Sequence, residues 1–144
     1  MSEPDSASRR VPADPPAVST SAIEDTLDRR VIAEFRLAGT PGSDDFVVML
    51  IDGFIGEAAE LVALAKAAFV RLDAPGLKNA AHRLRGSAAT MGARRLGALC
   101  AQLEAHAGGV LDHTIASALL AGIDDEHARL LDLLELERHG AGQQ

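Results

Sequence analysis

Of the five histidines and single cysteine in this 144-residue chain, His82 has the surroundings best suited to chemistry. It lies in Ala80-Ala81-His82-Arg83-Leu84-Arg85-Gly86-Ser87-Ala88-Ala89, within a stretch of helical periodicity. At 3.6 residues per turn, Lys78 falls about 40° and Arg85 about 60° to one side of His82, and Gly86 about 40° to the other. The apolar stripe of the same helix lies roughly opposite, so the ring is expected on the outward face. An exposed imidazole is a nucleophile able to take a phosphoryl group, and adjacent cations stabilise the charge in transfer. Gly86, one turn on, leaves space for an incoming surface. A plain surface histidine among solubilising charges fits the same geometry, and both readings stand at this point.

The remaining candidates point to structure. His127 falls near the apolar stripe of the last helix and reads as a satisfied, partly buried histidine. His106 and His113 flank the Gly108-Gly109 turn, and His139 ends a helix where a cation is favourable. No His-x-x-x-His pair or carboxylate cluster at ligand spacing accompanies them, so neither a metal nor a cofactor of its own is expected. Cys100, beside Leu99 and Leu103, reads as a small buried hydrophobe. A lone cysteine rules out an internal disulfide framework.

The elements that must position His82 follow from periodicity. Residues 1–21, polar with Pro4, Pro12, Pro15 and Pro16, are expected to form a disordered tail, and 141–144 a short one. A short helix is expected over about Ile23 to Leu37, with Leu27, Val31 and Phe35 or Arg36 inward. Gly39-Thr40-Pro41-Gly42 breaks it. A long helix, capped by Ser43, carries the stripe Val47, Leu50, Phe54, Ala58, Leu61, Ala65, Ala68. Asp73 and Pro75 start the His82 helix, whose stripe is Leu77, Ala81, Leu84, Ala88, Met91. After Gly92, another helix carries Leu96, Leu99 or Cys100, Leu103 and Ala107. The last runs from about Asp112 to His139 through Ile115, Leu119, Ile123, Leu130 and Leu134, ending at Gly140. Short connections imply antiparallel neighbours. The expected fold is therefore all-α: an up-down antiparallel four-helix bundle over 22–140 with an additional short N-terminal helix.

Composition supports a helical core and narrows function. Hydrophobic residues make up 47% of the chain but aromatic ones only 3%, all Phe, which favours close-packed helices over strands. The net charge of −7 disfavours a nucleic-acid binder. From Arg71 to Arg95, however, six cations stand against one anion, while the remainder holds eight cations and twenty anions. The basic segment is centred on His82 and suits an acidic or phosphorylated partner. No apolar run approaches the ~20 residues of a membrane helix, and Arg9-Arg10 is followed by no apolar signal segment. A cytoplasmic protein without membrane attachment is expected.

His82-Arg83-Leu84-Arg85-Gly86-Ser87, then Met91-Gly92-Ala93, then Leu96, Leu99-Cys100 and Leu103-Glu104, resembles the histidine-containing phosphotransfer (HPt) domain. That family has His-x-Leu-Lys-Gly-Ser, a Gly-Ala helix start and a leucine-rich fourth helix. The resemblance covers about Asp44 to Leu134. It implies that His82 is the phosphoacceptor at Nε2 and that Arg85, where Lys is usual, contacts the phosphoryl oxygens. It further implies that Gly86 gives access, that Ser87 is the motif's hydroxyl, and that Glu104 orients the ring. Arg85 is a departure, a planar fork in place of a point charge; Ala88 replaces a second small polar residue.

The implied activity is that of a phosphoryl carrier. A receiver-domain phosphoaspartate passes its group to His82, and His82 passes it to another receiver aspartate. The implied partners are receiver domains of hybrid histidine kinases and response regulators, with Mg²⁺ supplied by the receiver and this chain acting as a monomer. No Gly-x-x-x-x-Gly-Lys loop is present for ATP-dependent kinase activity, and Arg83 and the absence of a following Pro set the segment apart from a sensor-kinase dimerisation helix. The docking surface is expected to join the His82 face to apolar residues such as Ile32, Phe46 or Met49. A helical module that only docks and sequesters a receiver or other regulator is the alternative.

Overall fold

Asp73 and Gly92 fix the two ends of the helix that carries His82. In the computed structural model, which describes residues 20–40 and 44–142, the Asp73 side chain accepts a hydrogen bond from the Gly76 amide at 2.9 Å. Pro75 occupies the first turn, where its missing N–H costs nothing. At the other end Gly92 adopts a left-handed φ of 84°. The amides of Gly92 and Ala93 return to the carbonyls of Ala89 and Ala88 at 3.3 and 2.8 Å, closing a Schellman turn. This helix, Ala74–Met91, is α4. Before it come α1 (Thr20–Thr26), α2 (Arg29–Ala38) and α3 (Asp45–Val70); after it come α5 (Arg94–Ala107) and α6 (His113–Gly142). Residues 1–19 of the expected tail, and the expected cap Ser43, lie outside the described residues; Thr20, Ser21, Ala141 and Gly142 are helical.

Helices α3 to α6 form the expected all-α up-down bundle. Their connections, 71–73, 92–93 and 108–112, are short enough to force antiparallel neighbours. α3 packs on α4, α4 on α5, α5 on α6, and α6 back on α3, while α1 lies against α5 and α6 and α2 against α3. All five predicted stripe residues of α4 are buried, which leaves His82 on the opposite, outer face. Alanines such as Ala58, Ala65, Ala81 and Ala88 fill much of the core and let the helices approach closely. The larger anchors are leucines, Leu61, Leu84, Leu96 and Leu103 among them, each contributing roughly 1.5–3 kcal/mol relative to an exposed position.

The N-terminal helix departs from expectation because Asp28 divides it. In one continuous helix the Asp28 amide would bond back to its own turn; instead it donates to the Gly92 carbonyl at 2.9 Å. The Asp28 side chain accepts from the Arg30 amide at 3.1 Å and so starts α2 afresh. Leu27, at the break, is fully buried. Gly92 therefore ends α4 and seats the α1–α2 junction. A Cβ on Gly92 would lie 2.9 Å from Val31 Cγ2, at a φ that L-residues avoid. Gly92→Ala is expected to lower the unfolding free energy by about 1–3 kcal/mol, read by urea titration of the helical circular dichroism signal.

The predicted α3 stripe is buried except at Leu50, and the α6 stripe departs from prediction only in its first turns. In α3 Ile51 is buried where Leu50 was expected, and Leu50 is half-buried at the surface of the α3–α4 pair. In α6 Ala116 and Leu120 take the core positions, Ile115 is 49% exposed and Leu119 packs at the margin. Asp112 caps α6 through the Ile115 amide at 3.0 Å, which places Ile115 in a solvent-facing first turn. Gly140 does not end the helix, which continues to Gly142. Cys100 is buried, as expected, and burial pushes its thiol up to about 12.

α6 also buries one polar side chain fully and another in part. Glu126 is fully buried, with Arg129 Nε donating to it at 3.1 Å and Arg95 Nε 3.9 Å away; periodicity gave no sign of this residue. His127 is partly buried as expected, but it is not satisfied: its Nε2 is shielded from solvent with no hydrogen-bond partner. Desolvation, with Lys66 nearby, holds the His127 pKa below its ordinary value of 6.5, and Asp124 opposes this only in part. The unfolded chain therefore takes the proton first. The stability His127 contributes is complete above about pH 6.5 and is lost as the pH falls through the lower folded value. The melting temperature should fall on acidification below that point, and less steeply in His127→Leu. Among the described residues no helix is long and apolar enough to cross a membrane.

Candidate functional site

α4 presents His82 to solvent, with 60% of its side chain exposed. The two-residue turn after α4 brings α5 alongside it, and burial of Cys100 and Leu103 turns the neighbouring Glu104 towards α4. Glu104 Oε2 lies 2.9 Å from His82 Nδ1. An ionised carboxylate only accepts, so in this contact Nδ1 carries a proton, and in the neutral ring that leaves the lone pair on Nε2. Arg85 Nε donates to Glu104 Oε1 at 2.8 Å, and Arg85 Nη2 lies 3.2 Å from His82 Nδ1. Partial desolvation pushes the Glu104 carboxyl up, but the hydrogen bonds from His82 and Arg85 and the Arg85 charge outweigh it. They hold Glu104 below its usual range. The carboxylate is thus ionised near neutral pH and available to a ring that becomes positively charged.

The other expected site residues divide between two faces. Lys78 borders two shallow depressions, one with His82, Glu104, Pro75 and Asn79, the other with Arg85, Glu104 and the Gly108-Gly109 turn. Gly86 is open: a Cβ there would meet nothing within 4 Å. Ser87 lines a separate apolar groove of about 350 Å³ between α2, α3 and α4, together with Phe35, Met49, Leu50 and Phe54. His82, Lys78, Arg85 and Glu104 therefore share one cluster with Gly86 beside it, and Ser87 belongs to the adjoining groove. Of the three docking candidates, Met49 is 59% exposed on the groove, Phe46 is half-buried, and Ile32 is fully buried and presents no surface. Asn79 was missed, although its spacing of three from His82 places it on the same face.

The basic segment is less bare than its sequence implies. Glu104 pairs with Arg85, and Asp25 of α1 lies 3.8 and 3.7 Å from Arg94 and Arg95. What remains around the ring is a histidine held between a guanidinium and a carboxylate. Such a cluster can present a nucleophilic nitrogen, compensate the charge it acquires, and offer donors to an incoming anion. Among the described residues, no group of three or more His, Cys, Asp or Glu side chains is arranged to hold a metal.

Known proteins can be set beside this geometry. The Hpt domain profile matches residues 49–135. The fold is similar to the crystal structure of histidine-containing phosphotransfer protein B (HptB) from Pseudomonas aeruginosa PAO1. The TM-score is 0.71 and the identity 31%, over 79% of this chain and 95% of that one. No curated protein sequence matches. The profile match takes in the whole of α4 and α5, and with them His82 and Glu104. The chain therefore belongs to the Hpt domain family, and is a histidine phosphotransfer protein of phosphorelay signalling.

Proposed function

We propose that His82 is the phosphoacceptor, taking the group from a receiver-domain phosphoaspartate and returning it to the aspartate of another receiver. The observation that carries this is the tie between His82 Nδ1 and Glu104 in an otherwise exposed ring. The Nε2 lone pair attacks phosphorus, the bond from phosphorus to the aspartyl oxygen breaks, and its electron pair leaves with the carboxylate. The ring is left cationic, with its Nδ1–H on Glu104. Arg85 and Lys78 supply positive charge to the phosphoryl oxygens. Gly86 gives the receiver room at the ring. Met49, Phe35 and Leu50, beside Ser87, offer the receiver an apolar surface close by.

On this reading Mg²⁺ belongs to the receiver's acidic pocket, and the protein is a cytoplasmic monomer that carries phosphoryl groups without ATP-dependent kinase activity of its own. The test is incubation with a phosphorylated receiver, followed by analysis of the linkage formed. The expected product is an acid-labile, base-stable phosphate on this chain. Stable binding of the receiver with no transfer, unchanged by His82→Ala, would instead identify a sequestering module.

A further inference from the structure

Asn79 is the only asparagine in the chain, and folding alone gives no reason for it to stand inside α4. Asparagine is among the poorer helix formers. Asn79 caps no helix end, is exposed, and its side chain makes no hydrogen bond to the described residues. It does line the depression of about 330 Å³ at His82, with Pro75, Lys78 and Glu104. Helical side chains lean towards the N-terminus, so the His82 ring lies over the turn that holds Lys78 and Asn79. We propose that Asn79 is a phosphoryl-binding residue: its side-chain amide donates to a phosphoryl oxygen on His82 Nε2 and sets how tightly the carrier keeps the group. The proposal rests on His82 being the phosphoacceptor.

The two flanks of the ring are served by different residues. Positions three before and three after His82 lie about 60° to either side of it. Arg85 is on the flank facing α5, where its Nε donates to Glu104 Oε1 at 2.8 Å. Asn79 is on the flank turned away from α5. The ring is tied to α5 through Nδ1, 2.9 Å from Glu104 Oε2. The nitrogens of an imidazole point away from each other, so Nε2 is directed towards the side that Asn79 occupies. Arg85 Nη2 lies at the Nδ1 edge, 3.2 Å away, and serves a group on Nε2 through its charge. Lys78, with no ion pair among the described residues, adds a second charge, and Asn79 adds a neutral donor. A neutral amide holds the phosphoryl group less firmly than another cation would, which suits a carrier that must give it back. In the return step the aspartyl oxygen bonds to phosphorus, the Nε2–P bond breaks and its electron pair stays on Nε2. Asn79 then gives up its hydrogen bond and neither gains nor loses a proton.

As the sole asparagine, Asn79 can be observed without ambiguity in the full chain labelled with ¹⁵N-asparagine. On phosphorylation by phosphoramidate, one proton of its side-chain amide should move downfield, as expected for donation to an anionic oxygen. The second measurement is the partition of labelled phosphate between this chain and a receiver domain once both levels are constant. Asn79→Ala should shift the partition towards the receiver by about 3–10-fold, and Asn79→Asp further, because a carboxylate repels the group. Urea unfolding of Asn79→Ala should move to slightly higher denaturant, since alanine is the better helix former; a merely structural role would weaken fold and phosphorylation together. An unmoved Asn79 amide in a chain phosphorylated on His82 would overturn the proposal, as would a partition unchanged in both variants. Phosphoramidate labelling of His82→Gln equal to the parent would instead place the fault in the choice of phosphoacceptor.

Discussion

His82→Gln is expected to reduce phosphoryl labelling by a phosphorylated receiver to background while leaving the bundle intact. Glutamine removes the nitrogen lone pair that attacks phosphorus, and no neighbouring nucleophile replaces it within the Arg85–Glu104 cluster. It retains an N–H for Glu104, so that carboxylate keeps a partner. The parent side chain is 60% exposed and covers no core surface. Its replacement should therefore change the unfolding free energy by no more than roughly 0.5 kcal/mol. The measurement is transfer of labelled phosphate at fixed receiver concentration, paired with a denaturant titration. Labelling of His82→Gln at the parent rate would remove His82 from the reaction.

Gly86→Met should have the next largest effect, and in opposite directions on activity and stability. A Cβ at Gly86 meets nothing within 4 Å, so a longer chain is accommodated by the bundle itself. Replacing glycine inside a helix removes backbone freedom from the unfolded state, which should raise stability by about 0.5–1 kcal/mol. The same side chain occupies the approach to His82, one turn away. A displacement of the partner by 1 Å is enough to cost on the order of 10²-fold in rate, and methionine reaches further than that. Single-turnover transfer should fall by at least about that factor, while urea unfolding moves to higher denaturant. Gly86→Ala, which adds one methyl group, should show the stability gain with most of the transfer rate retained. Unimpaired transfer by Gly86→Met would mean that the receiver does not approach over this face.

How much of the site was legible in the sequence depended on whether one helix or two were involved. His82, Lys78, Arg85 and Gly86 lie on a single helix, so helical geometry alone sets their relation, and α4 keeps its predicted buried face at every position. The same reasoning set Cys100 and Leu103 inside α5. Glu104 is different. Periodicity did not place it against His82, because its approach depends on how α5 is rotated and shifted against α4; only the family resemblance pointed to it. Asp28 illustrates a similar boundary. Its cap competes with continuation of a helix, and the hydrogen bond from its amide to Gly92 decides the outcome from a distance in sequence.

Other departures have the same origin. Ile115 and Ala116 are neighbours, and nothing local selects the smaller one for the core; the cap at Asp112 and the packing of Leu120 and Ile123 do. Ile32 was a candidate for the docking surface on chemical type, yet it is enclosed by the bundle while Met49 is left outside. The positive segment around His82 was correctly located along the chain, but its strength was overstated. Glu104 and Asp25 return negative charge to it from other helices. A count along the sequence assigns those acids to the surround; the fold sets Glu104 in the site and Asp25 against the start of α5.

The central claim is that a phosphoryl group resides on one particular nitrogen of one histidine. It is tested most directly by NMR of the phosphorylated protein, with ³¹P resonances correlated to the ¹⁵N-labelled histidine rings. The expected result is one phosphoryl group on His82 Nε2, with Nδ1 protonated against Glu104. Phosphate on His106, His127 or a carboxylate, or on Nδ1 of His82, would contradict it.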